Sequence, residues 1–417
     1  MNNNAVMGDR AEINYISLLG KEIEDVSGDD LPDMVCLSRL RWDFARQRPQ
    51  HLMSRSARER RVFFVEEPVF GAAVPGLNIR RRDCGVFVVT PRLREGADDV
   101  EAPAIEQALL LDELFLEYEV CDYILWYYTP TAVAFTWRLD PLLVVYDCMD
   151  EPSAFKSAPT GAKRREAELL KLADVVFTRG HGLYEAKRRF HHNVHPFPDG
   201  VDLEHFRQAR RGIVEPVDQA RIGRPRLGFS GVIDERLDWE LLAAIAEARP
   251  DWQIVMIGPV VEIDPAELPR RHNIHYLGDR SYKDLPAYFS GWDVAVAPFA
   301  RNESTRLIAP AETSEYLAAG VPTVSTSIHE VELLYGRHGL VKIADATDEF
   351  VAEAERLMNR RGDYDYDAWL DRVDETLASG AWDETWARMM NLIDLTLKKL
   401  YFDGRESRIE DGGSQRR

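Results

Sequence analysis

Short apolar runs recur along the first half of the chain, and a helix-like stretch follows each of them. The runs are rich in β-branched and aromatic residues, as strands are: MVCLS (34–38), RVFFVEE (61–67), YILWYY (123–128), LLVVYD (142–147) and DVVFT (174–178). They are continuously apolar, which is typical of strands covered on both faces. The alternation predicts βαβ units around a parallel sheet.

The same rhythm begins again in the second half. Strand-like runs recur there: RLGFSG (226–231), WQIVMIG (252–258) and WDVAVAPF (292–299). Between the first two, Asp238 is a predicted N-cap, and apolar residues follow at helical spacing: Leu241, Leu242, Ile245 and Ala246. In YLAAGVPTVST (316–326), Gly320 predicts a left-handed helix end before another strand.

These patterns predict an α/β protein with two Rossmann-like, doubly wound domains facing each other across a cleft. The predicted divisions are a polar N-terminal extension (1–32), a first domain (33–206), a linker (207–224), a second domain (225–380), a C-terminal packing helix (381–403) and a flexible tail (404–417). In such folds a ligand binds at the carboxyl ends of the strands. We therefore expect the functional site between the two sheets.

Composition narrows the classes of function. The chain has 52 Lys and Arg against 71 Asp and Glu, a net charge of −19, which disfavours attraction to nucleic acids. The cysteines show no metal or disulfide spacing: Cys36, Cys84, Cys121 and Cys148. No stretch of about 18 apolar residues and no signal-peptide pattern is present. We expect a reduced, cytoplasmic protein.

The strongest candidate chemistry lies in residues 297–327. Glu315 is predicted in the first turn of a helix at the rim of the cleft, where its carboxylate could accept two hydroxyl groups. A helix-start glutamate without a ligand explains the pattern equally well. Arg306 could hold a diphosphate through two hydrogen bonds, although an isolated arginine is more often a surface ion-pair partner.

A second candidate lies in GFSGVIDERLD (228–238). Gly228 and Gly231 end a strand before a helix, where exposed backbone N–H groups can bind phosphate, and Arg236 adds positive charge. Two glycines after a strand are more often a simple turn. The histidines of HHNVH (191–195) lack further ligands at metal spacing, so we predict a solvated loop there and no metal.

Seven segments in this order resemble the bacterial, retaining glycosyltransferases of the two-domain GT-B type, known as glycosyl transferases group 1 or family 4. The segments are RWDFARQRPQHL (41–52), VVYDCMDEPSAF (144–155), REAELLKLADVVFT (165–178), FPDGVDLEHF (197–206), GFSGVIDERLD (228–238), NIHYLGDRSYKDLPAYFSGWDVAVAPF (273–299) and NESTRLIAPAETSEYLAAGVPTVST (302–326). Together they cover most of residues 35–327.

The resemblance implies roles for individual residues. Glu315 matches the carboxylate that holds the nucleotide ribose. Thr305 and Arg306 match residues that face the donor sugar and its diphosphate. Residues 276–278, including Tyr276 and Gly278, match the wall beside the nucleobase. In the first domain it implies a loop that contacts donor and acceptor: Arg41, Trp42, Asp43, Arg48, Pro49, Gln50 and His51. Asp147 and Asp150 lie where relatives place a catalytic His or acid.

Two positions depart from the family pattern. Leu307 occupies the place of a glutamate that seven residues separate from the ribose-binding one, with Glu303 as a substitute. Glu312 occupies the place of a lysine expected to neutralise phosphate. A carboxylate ~4 Å from a phosphate is repelled by ~1–4 kcal/mol. We expect Glu312 to point away, or donor use to be altered or lost.

The resemblance implies transfer of a sugar, with retention, from a UDP-linked donor to an acceptor hydroxyl in cell-surface polysaccharide or glycolipid synthesis. Arg306, Arg236 and the amides around Gly231 would stabilise the diphosphate, with no cofactor or metal. The expected partners are a nucleotide sugar and a glycan, lipid-linked or small-molecule acceptor, with peripheral association at the inner membrane face possible. If the reaction inverts, Asp147 or Asp150 is the base to test. A sugar-nucleotide isomerase or hydrolase and a non-catalytic nucleotide-binding scaffold remain alternatives.

Overall fold

The computed structural model describes residues 31–44, 46–95, 102–151, 161–303, 305–360 and 364–413. Within these ranges the chain forms two separate sheets, one of nine strands and one of six. The α/β fold class predicted from the sequence is confirmed. Residues 1–30 of the predicted extension and 414–417 of the predicted tail lie outside the described residues.

The first sheet is parallel except at one edge. Its strands are β1 (Asp33–Leu37), β2 (Val62–Val65), β3 (Val69–Phe70), β4 (Gly76–Arg81), β5 (Phe87–Leu93), β6 (Tyr123–Tyr127), β7 (Leu143–Cys148), β8 (Val175–Thr178) and β9 (Val194–Pro196). The order is β3-β5-β2-β1-β6-β7-β8-β9, and β4 pairs antiparallel with β5. The five predicted strands are buried throughout except at half-buried Val144 in β7, whereas exposed positions interrupt β4 and β5.

The second sheet is entirely parallel, with order β12-β11-β10-β13-β14-β15. Its strands are β10 (Arg226–Ser230), β11 (Gln253–Ile257), β12 (Ile274–Gly278), β13 (Val294–Ala297), β14 (Thr323–Ser325) and β15 (Val341–Ile343). The sequence patterns predicted β10, β11, β13 and β14.

Helices connect the strands of both sheets. They are α1 (Arg48–Ser56), α2 (Ala102–Glu117), α3 (Val133–Thr136), α4 (Ala162–Leu172), α5 (His181–Lys187), α6 (Leu203–Phe206), α7 (Val217–Ala220), α8 (Trp239–Ala248), α9 (Leu285–Phe289), α10 (Ala311–Ala318), α11 (His329–Val331), α12 (Thr347–Arg360), α13 (Tyr364–Ala378) and α14 (Trp382–Gly413). Asp238 caps α8 by accepting the Leu241 N–H at 2.9 Å, as predicted, and Gly320 ends the α10 segment with φ +73°.

The last helix returns to the first domain. Its apolar stripe joins the buried cluster on one face of the first sheet, through Trp382, Met389, Met390, Ile393 and Leu397. A second cluster covers the opposite face of the same sheet. The helix ends at Gly413, beyond the predicted end at 403.

The chain crosses between the two sheets twice, side by side. Val201 donates its N–H to the Gly380 carbonyl at 2.9 Å and forms a parallel bridge with Ala381. A Cβ at Gly200 would lie 2.7 Å from the Trp382 ring, so only glycine permits this approach. The same ring stacks on His51 with centroids 4.7 Å apart. Trp382 therefore packs both crossings against α1.

The predicted linker, residues 207–224, packs on the second domain. Arg210 donates to both carboxylate oxygens of Asp374 in α13 at 3.0 Å. The Gln219 side chain accepts the Trp292 indole N–H at 2.8 Å and donates to the Tyr288 carbonyl at 2.8 Å. These bonds hold the segment against the six-stranded sheet.

We expect Trp382→Ala to destabilise the protein by about 3–5 kcal/mol, because the substitution removes a buried ring from the crossing. The matched control is Trp137→Ala, since Trp137 is 72% exposed. Urea unfolding followed by circular dichroism measures both. Equal unfolding midpoints for the two variants would contradict the anchoring role of Trp382.

Candidate active site

The carboxyl ends of the two sheets face a common cleft. On the first-domain side lies an open pocket, here called the first-domain pocket. Its space of about 910 Å³ includes open solvent, and it is lined by Ser38, Arg39, Leu40, Gln47, Tyr128, Thr129, Pro130, Thr131, Tyr146, Met149, Asp150, Ala162 and Arg179. On the other side, the turn after β10 meets the turn after β11. A Cβ at Gly258, whose φ is +141°, would lie 1.8 Å from the Gly231 carbonyl oxygen.

Charged side chains from both domains meet in this cleft. The first domain contributes Asp150, Arg179 and Asp199, and the second contributes Arg236, Glu312 and Glu315; we call this set the cleft cluster. Two arginines interact with both Asp150 and Glu312: Arg179 and Arg236. Burial disfavours their charges, but the surrounding carboxylates outweigh it and raise the pKa of both guanidiniums.

Each arginine of the cleft cluster is also held by an acid of its own domain. The Arg179 guanidinium donates from Nε to Asp199 at 2.7 Å. The Arg236 Nε donates to both oxygens of Asp234, at 2.9 and 3.0 Å. These ion pairs fix the two cations on either side of the cleft.

Glu315 is partly buried in α10, on the cleft side. Burial and the nearby carboxylates of Glu312, Asp199 and Asp202 raise its pKa to about 8, against the opposing effect of Arg179. The prediction that it lies in the first helical turn is wrong. Helix α10 begins at Ala311, so Glu312 is in the first turn and Glu315 follows one turn later.

Glu312 does not point away from the glycine turn. Its Oε1 lies 3.3 Å from the position that a Cβ on Gly231 would take. Burial raises the pKa of Glu312, Asp199 raises it further, and Arg236 and Arg179 counteract the effect. A carboxylate thus faces the turn at which phosphate was predicted to bind.

The glycine turn offers fewer free amides than its sequence implied. The Gly231 N–H already donates to the Ile257 carbonyl at 3.0 Å, and the Ile233 N–H donates to the Pro259 carbonyl at 2.9 Å. These two hydrogen bonds hold the turn against the end of β11, and α8 begins only at Trp239. Positive charge near this turn therefore comes from the arginines, not from these two amides.

Asp147 and Arg48, predicted as separate site residues, form one buried ion pair. Arg48 Nε donates to both Asp147 oxygens, at 3.1 and 2.9 Å, and both side chains are at most 1% exposed. Arg48 also donates to the Phe197 carbonyl at 2.8 Å and lies 3.5 Å from Asp199. Asp147 is closed to a substrate, whereas Asp150 lines the first-domain pocket.

The rest of the predicted acceptor loop is held by neighbouring strands. Glu66 accepts the Trp42 N–H at 2.6 Å and lies 3.4 Å from Arg41, while exposed Asp43 pairs with Arg82. Two further members are buried. The Gln50 side chain donates to the Trp42 carbonyl at 3.0 Å, and His51 stacks on Trp382, its pKa lowered by burial.

The side chains predicted to face the donor, in the loop before α10, contact other protein groups. Thr305 is buried, and its hydroxyl donates to the Ala300 carbonyl. Arg306 is 63% exposed and lies 3.3 Å from the exposed Glu303, which matches the surface ion-pair alternative. Leu307 contacts Gly182 of the first domain and joins the apolar cluster there.

The predicted nucleobase wall lies at the edge of the second sheet. Tyr276 donates its hydroxyl to the Pro269 carbonyl at 3.2 Å, and the Arg270 guanidinium carbon lies 5.4 Å from its ring centre. Gly278 ends β12 with φ +74°. Tyr276 is thus engaged within its own domain, and Gly278 occupies the carboxyl end of the strand.

Sequence reasoning missed Arg179 and Asp199, although Asp199 lies in a quoted segment and Arg179 directly follows another. Arg179 directly follows β8, which is a position at the carboxyl end of a parallel strand. Asp199 belongs to the Pro-Asp-Gly turn before the first crossing. Those two positional signals could have identified them.

The domains also meet beside the cleft cluster, where Glu330 of α11 contacts the start of α5. Its carboxylate accepts the His181 N–H at 3.0 and 3.1 Å and lies 3.1 Å from His181 Nδ1.

The described ranges contain no group of three or more His, Cys or acidic side chains arranged to hold a metal ion. Within the same ranges, no helix has the length and apolar composition needed to cross a membrane.

We expect the pH dependence of stability to report on Glu315. Because its pKa in the folded protein is about 8, above the ordinary glutamate value of 4.5, its contribution to stability is complete below pH 4.5 and is lost as pH rises through 8. Glu315→Gln should therefore flatten the fall in melting temperature between pH 5 and 9. The control is exposed Glu267→Gln. A wild-type slope in Glu315→Gln would show that Glu315 ionises normally.

Comparisons with known proteins agree with this architecture. Residues 224–360 match the family model described as glycosyl transferases group 1. A putative teichuronic acid biosynthesis glycosyltransferase of Bacillus subtilis, TuaH, is 26% identical over 240 residues, covering 54% of this chain. The match spans 60% of that relative's length.

Solved structures share the fold over nearly the whole chain. Sucrose-phosphate synthase from Thermosynechococcus elongatus has a TM-score of 0.64 at 14% identity, covering 88% of this chain and 100% of that one. HepE from Anabaena, in complex with UDP and glucose, has a TM-score of 0.58 at 12% identity, covering 87% and 99%. The second domain is thus similar to the group 1 glycosyl transferases, and the chain has the GT-B fold that its sequence predicted.

Proposed function

We propose that this protein transfers a sugar from a UDP-linked donor to an acceptor hydroxyl, with retention of configuration, in the synthesis of a cell-surface polysaccharide or related glycoconjugate. The curated relative is named for teichuronic acid biosynthesis, and one solved structure of the same fold binds UDP and glucose. Both names support a nucleotide-sugar donor and a glycan product for this chain.

The observation that carries the proposal is the convergence of Arg179 and Arg236 from opposite domains beside the Gly231 turn. Two guanidiniums fixed on either side of a cleft can bind a diphosphate through charge-assisted hydrogen bonds. Glu315 lies in the same cluster and can accept the ribose hydroxyls. The cleft therefore offers both contacts that a nucleoside diphosphate requires.

These groups suit the leaving-group side of glycosyl transfer. Negative charge grows on the diphosphate as the glycosidic bond breaks, and fixed cations stabilise that charge without reorganising. Holding the acceptor hydroxyl beside the sugar lowers the entropic part of the barrier. In a front-face retaining reaction the departing phosphate takes the acceptor proton, so the protein needs no base. If the product is inverted, Asp150 is the base to test, since the Asp147 carboxylate is already bound by Arg48.

A non-catalytic nucleotide-binding role is the second candidate. Two observations favour it: Glu312 faces the glycine turn, and Leu307 packs into the first domain instead of presenting a carboxylate to the sugar. A sugar-nucleotide isomerase or hydrolase would use the same donor site without an acceptor.

Calorimetry with a panel of nucleotide sugars, followed by NMR of the product anomer, tests the proposal. We expect UDP and UDP-sugars to bind and the product to retain the donor configuration. Binding without turnover would favour the scaffold, and free or epimerised sugar without acceptor would favour the hydrolase or isomerase. An inverted anomer would contradict retention.

We expect Glu312→Gln to tighten UDP binding about tenfold, because a carboxylate beside the phosphate site repels the diphosphate by ~1–4 kcal/mol. Glu312→Lys should tighten it further. Calorimetric titration with UDP measures the effect, and exposed Glu375→Gln is the matched control. Unchanged affinity in both Glu312 variants would show that the diphosphate binds elsewhere in the cleft.

A further inference from the structure

We propose that Lys187 is a positioning residue for the cleft: through Glu151 it holds the loop after β7 in the conformation that places the Asp150 carboxylate beside the arginine pair. The inference rests on the proposed function and adds to it a residue that sets donor affinity. Lys187 ends α5 and is not among the residues that line the first-domain pocket. It therefore acts on a ligand only through the loop.

Lys187 is a buried cation with two acidic partners. Its side chain is 4% exposed, and Nζ lies 2.7 Å from Glu166 Oε1 in α4 and 2.9 Å from Glu151 Oε2. Burial disfavours the ammonium charge, but the neighbouring Cys148 and the two acids outweigh it and raise the pKa of Lys187. A lysine is almost never this buried unless it is paired. The two contacts tie α4 and α5 to the loop.

The two partners of Lys187 differ in how firmly they are held. Glu166 is buried in α4, and its Oε1 also accepts the Tyr146 hydroxyl of β7 at 2.8 Å. Glu151 follows the strand and belongs to no helix or strand. Loss of the Lys187 charge therefore releases Glu151 and its loop, while the helix and the sheet keep Glu166 in place.

Asp150 depends on its neighbours in the chain for its position. Among the described residues, no hydrogen bond or ion pair holds its carboxylate, which interacts electrostatically with Arg179 and Arg236. Its backbone carbonyl accepts the Cys148 thiol at 3.3 Å, and the next residue is Glu151. Contacts on both sides of Asp150, and not its own side chain, thus hold the carboxylate beside the two guanidiniums.

The position of Asp150 matters because the arginine pair is what the diphosphate would bind. A carboxylate near these guanidiniums offsets part of their charge and competes with a phosphate for them. When Lys187 no longer holds Glu151, the loop relaxes and the Asp150 carboxylate spends less time beside the pair. Lys187 therefore sets how much positive charge the donor meets.

A double-mutant cycle tests the coupling between Lys187 and Asp150. UDP is titrated calorimetrically into four versions of the full chain: the wild type, Lys187→Met, Asp150→Asn and the double variant. We expect Lys187→Met alone to tighten UDP binding about threefold or more, and to have no effect once Asp150→Asn has removed the carboxylate charge. Lys187→Arg keeps the cation and should restore the wild-type affinity.

Glu151→Gln tests the same contact from the loop side. It leaves the buried pair of Lys187 and Glu166 intact, so the proposal stays testable if Lys187→Met does not fold, and it should reproduce the tighter UDP binding. The control is Arg61→Met, which breaks an ion pair at the opposite end of the first sheet, where Arg61 Nε donates to Asp33 at 2.7 Å. It should lower the melting temperature without changing UDP affinity.

Two outcomes would overturn the proposal while the proposed function stands. One is that the Lys187 and Asp150 substitutions act independently on UDP affinity. The other is that Lys187→Met and Glu151→Gln lower the melting temperature but bind UDP as the wild type does, which would leave Lys187 a purely structural role. Failure of the proposed function looks different, since the wild type itself would then not bind UDP, and that result would overturn both.

Discussion

The guanidinium of Arg48 is the contact on which the architecture depends. It binds Asp147 at the end of β7, the Phe197 carbonyl and Asp199 at the first crossing, and it lies 3.9 Å from the Met389 sulfur in α14. A buried charge is tolerated only when paired, and breaking such a pair costs about 3–5 kcal/mol. Arg48 therefore fixes the end of the first sheet, the crossing and the returning helix relative to one another.

The position of Arg179 in the cleft depends on the Arg48 ion pair. Asp199 touches Arg48 on one side and holds Arg179 on the other, so the buried ion pair also positions a cation at the cleft. Arg236 is held by Asp234 within the second domain. The two cations thus belong to separate domains, joined by the paired crossings at Val201 and Gly380. Any change in domain angle would change the distance between them.

The cleft has an excess of carboxylates beside its arginines. Burial is the main cause that raises the pKa of Glu315 to about 8, and the carboxylates of Glu312 and Asp199 raise it further. A group with such a shift in a cleft is a recognised mark of a functional site. Under the proposed function, a diphosphate bound here would compete with Glu312 for the arginines, which would raise the electrostatic cost of donor binding.

The sequence by itself determined the parallel strands, the capped helix α8 and the apolar stripe of α14, because strand and helix periods and N-caps are local properties. It also identified Glu315 as a candidate through its place near a predicted helix start, and the family resemblance added Asp150. It could not show that Arg48 binds the Asp147 carboxylate, 99 residues away, and so keeps it from a substrate. Nor could it show that Arg179 lies near Arg236. Ion pairs and the pKa of a buried acid depend on which distant groups share the same space. Only the tertiary structure decides that, and with it which predicted residues remain free for a ligand.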